Sequence, residues 1–448
     1  MADARSRIQA LSPDRRALID ALAAGRRPDR APTTAAQERY WRLNQADPAD
    51  PRYLWPWPLS LRGPLDTDAL GRAVRSVLNR HDLLTSTFRR QDGELWQMRG
   101  TAPARGPRLV EVPDGPGGVQ REIERVNRRG RDLAHQAPVD TTLLRLGPDD
   151  HVLVADIHAI ANDAWSMRLF LDDLAAHYNG SPPASRPVPF AEHAARQRRW
   201  LAGEEAERQA RHWERALAGL PSAPRPAVPG GAADGPRCVV QRADVPAGVM
   251  DGVRALGRRA GATPFMTLYA LFADALGTLT GRTDIVVASS VSGRDTPDTH
   301  QVIGCFVNRV VLRVDVGGTP DDGELVRRGR ASVLAALANS RLPFEHVVRR
   351  VAPHEYHRPA PLTDVMFVYD DQDGRAATGA APRFTGLETS FVEPEYRTTR
   401  FALLLTARPV PSGRLVLEAH CPSDPRHVRT AQELLRRCAL RFARLRGA

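Results

Sequence analysis

The chain is 448 residues long, 42% hydrophobic and 26% charged, with a formal net charge of +11 at pH 7. That length exceeds what one hydrophobic core usually reaches, so two domains of about 200 residues are expected from an otherwise ordinary globular composition. All 63 basic residues are arginine, which excludes a P-loop lysine, a Schiff-base lysine and a lysine general base.

No run approaches the roughly 18 apolar residues of a membrane span, and the first residues lack the apolar core of a signal peptide, so a cytoplasmic protein with no membrane contact is expected. Cys238, Cys305, Cys421 and Cys438 lack CxxC spacing, which indicates neither a metal site nor a disulfide framework. The arginines are spread through amphipathic helices and not gathered into one run with interleaved aromatics, which speaks against nucleic acid. An acidic protein partner or a phosphate-bearing cofactor arm suits the charge better.

In chain order, residues 6–25 carry an amphipathic helix pattern, so 1–30 reads as a leader helix. Residues 34–43 begin a second helix with Thr34 as N-cap and with Tyr40 and Trp41 as packing residues. Residues 57–65 alternate like a strand and 65–84 like a helix; 85–99 read as a hairpin about Gln91-Asp92-Gly93, since Asp-Gly tolerates the positive φ of tight turns. A helix near 119–134 leads to the central stretch. There Val152–Ile157 is a short β-branched run broken only by Asp156, and Met167, Phe170, Leu171 and Leu174 follow at i, i+3, i+4 and i+7. Asn162 and Asp163 are N-cap candidates and Gly180 a stop, so His158 and Asp163 stand where a strand gives way to a helix.

Residues 187–221 read as one long helical stretch with Trp200 and Trp213 facing a core. The segment 222–236, rich in Pro, Gly and Ala, reads as a linker between an N-terminal unit, 31–221, and a C-terminal unit, 237–448. The second half repeats the α+β theme: strands at 237–245 and 284–291, helices at 249–261 and 263–281, a polar loop feeding a strand within 293–316, a helix at 343–351, strands within 361–371 and 400–410, and a helix at 425–446. There is no GxSxG, HExxH or GxGxxG motif, and the PHEYH segment at 353–357 has no metal-site context, so no bound metal or cofactor is expected.

Seven segments in order resemble the core motifs of nonribosomal peptide synthetase condensation domains, relatives of chloramphenicol acetyltransferase. They are TAAQERYW at 34–41, RHDLLTSTF at 80–88, HAIANDAWS at 158–166, FAEHAARQRRW at 190–200, IGCFVNRVVLR at 303–313, PFEHVVRRV at 343–351 with PLTDVMF, and RFALLL at 400–405. The resemblance implies two chloramphenicol-acetyltransferase-like subdomains, each a mixed sheet with flanking helices, set as a V around a tunnel. Acyl or peptidyl carrier proteins would present their substrates there on phosphopantetheine arms. The implied reaction is attack of an amine or hydroxyl on an acyl thioester, giving an amide or ester in nonribosomal peptide, antibiotic or related biosynthesis. Such a site needs positioning and something to handle the proton.

The chain departs from the family at that last requirement. His158 and Asp163 match the first histidine and the aspartate of HHxxxDG, but Ala159 stands where the catalytic histidine belongs and Ala164 where the glycine belongs. The resemblance makes His158 and Asp163 a frame, pairs Asp163 with Arg294, and places Ala164, Trp165, Ser290 and Asn308 along the tunnel. Thr85 and Ala402 replace the second motif's arginine and the last motif's aspartate. Two readings follow: a freestanding condensation-type acyltransferase acting in trans, with Ala159 compensated or introduced, or a non-catalytic relative that binds a carrier protein and recruits a tailoring enzyme, as the domains that dock cytochromes P450 in glycopeptide assembly do.

Overall fold

The computed structural model describes residues 30–446 apart from 114, 221–236, 371–379 and 396. The leader pattern at 6–25 and the linker at 222–236 lie outside the described residues. Strand β1 (Arg30–Pro32) leads to α1 (Ala35–Ala46), whose start is a capping box: Thr34 Oγ1 accepts from the Gln37 N–H, and Gln37 Oε1 accepts from the Thr34 N–H. After β2 (Leu54–Arg62) and α2 (Thr67–Arg80), β3 (Thr87–Gln91) and β4 (Glu94–Met98) form the hairpin, turning at Asp92 and Gly93 with φ of 50° and 79°.

Strand β5 (Arg108–Glu111) precedes α3 (Gly115–Arg128), which ends before the residue 134 read from periodicity. β6 (Val139–Gly147), β7 (Asp150–His158) and α4 (Ala164–Tyr178) then build the strand-to-helix junction. The long helical stretch is two helices, α5 (Phe190–Leu201) and α6 (Glu204–Ala216), broken at Ala202 and Gly203. Trp213 is buried and donates its indole N–H to the Asn339 carbonyl, whereas Trp200 is only half-buried.

The second half runs β8 (Arg237–Val245), α7 (Val249–Ala260), α8 (Pro264–Thr280), β9 (Asp284–Val291), β10 (Asn308–Asp315), α9 (Asp322–Ala338), α10 (Phe344–Val351), β11 (Val365–Tyr369), β12 (Glu388–Phe391), β13 (Arg397–Thr398), β14 (Leu403–Pro409), β15 (Leu415–Pro422) and α11 (Pro425–Ala443). The protein is α+β, with mixed sheets and flanking helices. A five-stranded sheet has the order β12-β2-β7-β6-β5 and a seven-stranded sheet the order β10-β9-β11-β14-β15-β8-β13, with β1-β4-β3 as a small third sheet. Most neighbours are antiparallel, but β5–β6, β9–β11 and β11–β14 are parallel.

Strand β12 belongs to the second half of the sequence yet pairs antiparallel with β2, Ser390 opposite Ser60, so one strand crosses between the halves. The five-stranded sheet carries α2 and α4, whose Leu70, Val74 and Val77 meet Met167, Phe170 and Leu174 in one core. The seven-stranded sheet packs α7, α8, α9 and α11 around Phe272 and Phe367, stacked at 5.0 Å between ring centroids. Each such fully buried side chain contributes about 1.5–3 kcal/mol. The four cysteines are buried and free. Among the described residues there is no cluster of metal-ligating side chains and no helix long and apolar enough to cross a membrane.

Candidate functional site

The site is built where β7, central in its sheet, ends. β2 lies antiparallel beside it with Leu54 opposite His158. The buried Asp156 within β7 finds its counter-ion in Arg131 at 2.9 Å, though burial outweighs that charge and still raises its carboxyl above the usual range. The chain then makes one 3-10 turn, Ala159–Ala161, before α4 starts.

His158 is 2% exposed, and its Nδ1 accepts a hydrogen bond of 3.0 Å from the Ile160 N–H, closing that turn. This assigns the ring proton to Nε2. The ring packs edge-on against Tyr40 at 6.4 Å and tilted against Tyr53 at 6.3 Å. Burial, followed by the nearby Arg131 and Arg400 charges, pushes its pKa down to about 3. His158 is therefore a neutral turn cap.

Asp163 is the N-cap of α4, its Oδ1 accepting from the Ser166 N–H at 2.7 Å. Arg294 donates Nη2 to both carboxylate oxygens, at 3.1 and 3.2 Å, and the Phe306 N–H donates to Oδ2 at 3.1 Å. Arg294 also donates to Ser166 Oγ at 2.8 Å and to the Thr299 and Val302 carbonyls. Ser166 Oγ in turn donates to the Gly304 carbonyl at 2.7 Å and accepts from the Gly304 N–H at 3.0 Å. Gly293 permits this approach: its φ is +64°, and a Cβ there would lie 2.1 Å from the Phe306 carbonyl oxygen. Asp163, Ser166 and Arg294 thus join the two halves through buried polar contacts, and each oxygen of the carboxylate already accepts from more than one donor. Asn162, the other cap candidate, is buried and its side chain makes no hydrogen bond to the described residues.

Ala159 is 1% exposed and carries no proton-transferring group. A cavity of about 260 Å³ lies between the halves, with Thr34, His193 and Trp200 on one wall and Cys305, Asn308 and Glu345 on the other. Asn308 is held there by hydrogen bonds to the Ser340 and Leu342 carbonyls and from the Phe344 N–H. Ala159, Ala164, Trp165 and Ser290 do not line it. Ala164 and Ser290 are exposed, and Trp165 is half-buried with its indole N–H donated to the His300 carbonyl at 3.0 Å. His193 is wedged against Phe190 and Phe306, and burial with the Arg196 and Arg294 charges pushes its pKa down to about 4. Burial pushes the Cys305 thiol far up. A general base works best with a pKa near the operating pH, so these groups are ill suited to take a proton from an attacking amine.

Sequence reasoning named the motif residues but missed Ser166, Tyr53, Arg131 and the arginines Arg39, Arg309 and Arg400, which lie against the rings of Tyr40, Tyr53, Phe344 and Phe401. Only Arg309 carried a local signal, a charge directly before the apolar run Val310–Leu312.

The family model described as "Condensation domain" matches residues 28–437. The chain is 37% identical over 369 residues to an isonitrile lipopeptide synthase of Mycobacterium tuberculosis, covering 78% of this chain and 15% of that protein. The chain therefore spans a small part of that curated relative. Among solved structures, the X-domain from teicoplanin biosynthesis superposes with a TM-score of 0.81 at 27% identity, over 94% of this chain and 97% of that one. The X-domain in its complex with OxyB gives 0.79 at 26%, over 92% of this chain and 93% of that one. With the strand-to-helix motif, the mixed sheets and the match over most of its length in agreement, the chain belongs to the condensation domain family of nonribosomal peptide biosynthesis and has the chloramphenicol-acetyltransferase-like fold of that family.

Proposed function

We propose that this chain is a non-condensing member of the family that binds a carrier protein, with its substrate on a phosphopantetheine arm, and recruits a tailoring enzyme to it. The observation that carries the reading is Ala159: a buried methyl group stands where the family places its proton acceptor, and the remaining motif groups are committed. His158 caps a turn, and Asp163 is held by Arg294, Ser166 and the Phe306 amide. Losing a general base costs about 10²–10⁴-fold in rate. The likeness to the X-domain that forms a complex with OxyB supports recruitment.

The experiment is affinity capture with the purified chain as bait, offering carrier proteins and oxygenases encoded beside it. The reading expects both a carrier and a tailoring enzyme to be retained. Retention of carriers alone contradicts recruitment and favours the condensing alternative, an acyltransferase acting on carrier-bound acyl groups.

A further inference from the structure

Three guanidinium groups gather within reach of one another's charge: Arg39 of α1 and Arg400 just before β14 at the tyrosine rings packed on His158, and Arg309 of β10 beside them at Phe344 and Phe401. Arg39 is 3% exposed and donates Nη2 to the Arg358 and Pro359 carbonyls at 3.1 and 2.8 Å. Its Cζ lies 6.0 Å from the Tyr40 ring centroid. Arg400 donates Nη1 to the Tyr40 hydroxyl at 3.1 Å, and its Cζ lies 5.9 and 5.5 Å from the Tyr40 and Tyr53 centroids. Arg309 Cζ sits 4.8 Å from the Phe344 ring and 4.9 Å from the Phe401 ring.

Arg309 and Arg400 are half-buried; Arg131 and Arg294, buried like Arg39, have carboxylate partners, Asp156 at 2.9 Å and Asp163 at 3.1 Å. Among the described residues, Arg39, Arg309 and Arg400 have none. Arg309 Nη1, Arg39 Nε and the hydroxyl of Tyr53, a residue only 1% exposed, are buried polar atoms with no hydrogen-bond partner among the described residues. Glu345 is the carboxylate whose charge pulls on Arg309, and it lines the cavity of about 260 Å³ together with Asn308, the residue before Arg309. Burial and the other two arginines push Arg309 down to about 9, against the opposing pull of Tyr40 and Glu345. Buried donors and cations left without acceptors are costly, and an anion supplied from outside removes that cost.

We propose that Arg39, Arg309 and Arg400, with the Tyr53 hydroxyl, form a binding site for a carboxylate group, either of a free acid or of a chain carried on the phosphopantetheine arm. The planar guanidinium fork matches a carboxylate in two parallel hydrogen bonds, and the flanking rings of Tyr40, Phe344 and Phe401 keep the site dry. The assignment does not depend on the recruiting reading, because its first test uses free anions and no tailoring enzyme.

The test is calorimetric titration of the whole chain with sodium succinate, sodium phosphate and sodium chloride at matched ionic strength. Saturable succinate binding is expected, weakened at least about tenfold in Arg309→Thr and more modestly in Tyr53→Phe. The Arg309 side chain makes no hydrogen bond to the described residues while its backbone stays in the β10–β9 ladder, so its replacement is expected to leave the fold intact, and a melting curve of Arg309→Met checks this. A carrier protein bearing a succinyl thioester, compared with one bearing a butyryl thioester, separates the sources: tighter succinyl-carrier binding supports a carried carboxylate, equal binding a free acid. Absence of saturable succinate binding, phosphate binding as tight as succinate, or unchanged affinity in Arg309→Thr would overturn the assignment.

Discussion

At His158 the imidazole is neutral because it is buried against two tyrosines and faces arginines, and this has a consequence for stability. Its folded pKa, about 3, lies below the ordinary 6.5, so the unfolded chain takes up a proton that the native chain refuses. This stabilisation is complete above pH 6.5 and falls by about 1 kcal/mol per pH unit as acid is added down to pH 3. His193 and His346, each pushed down to about 4 by burial first, act in the same direction. Melting temperature followed from pH 7 to pH 4 should therefore fall less steeply in His158→Gln than in the parent chain; equal slopes would refute the neutral cap. Arg294→Met leaves Asp163 buried without its counter-ion and should cost about 3–5 kcal/mol, seen as a lower melting temperature, part of which returns in Arg294→Met with Asp163→Leu. An unchanged melting temperature in the single variant would show that the pair does not hold the halves.

Among the elements, the strand-to-helix junction was readable because its two periodicities are strong and local: a β-branched run, then apolar residues at helical spacing behind a good cap. Helix α8 was equally plain, being apolar nearly all round and ended by Gly281 at φ +68°. Helix α9 escaped notice because its buried residues, Leu325, Val326, Gly329, Val333 and Ala336, alternate with arginines and with the exposed Leu334 and Leu337. Strand β12 could not be assigned to its sheet, since its pairing with β2 joins segments far apart in sequence. The same reason hid the arginine cluster: nothing local links positions 39, 309 and 400. Close packing between α5 and the loop after Arg294 gives a further test. A Cβ on Gly304 would lie 2.1 Å from the Phe190 ring, so Gly304→Ala should lower stability by about 1–3 kcal/mol through overpacking. A neutral effect on the melting curve would show that α5 moves freely there.

For the molecule as a whole, the family relation rests on motifs in order over most of the chain, whereas what the protein does rests on how the halves meet. Asp163, Ser166 and Arg294 bridge them, and β12 crosses between them. A net charge of +11 favours an acidic partner, and exposed charge pairs weaken with salt. Carrier affinity should accordingly fall several-fold between low and high ionic strength, measured by calorimetry; a salt-independent affinity would place docking on apolar contacts. The central claim, that the fold is retained without the condensing chemistry, is tested most directly by intact-protein mass spectrometry of cognate acyl-carrier and amine-bearing carrier incubated with the chain. The account predicts that both carriers keep their masses, and a mass shift to the condensed product with the chain as it stands, Ala159 in place, would contradict it.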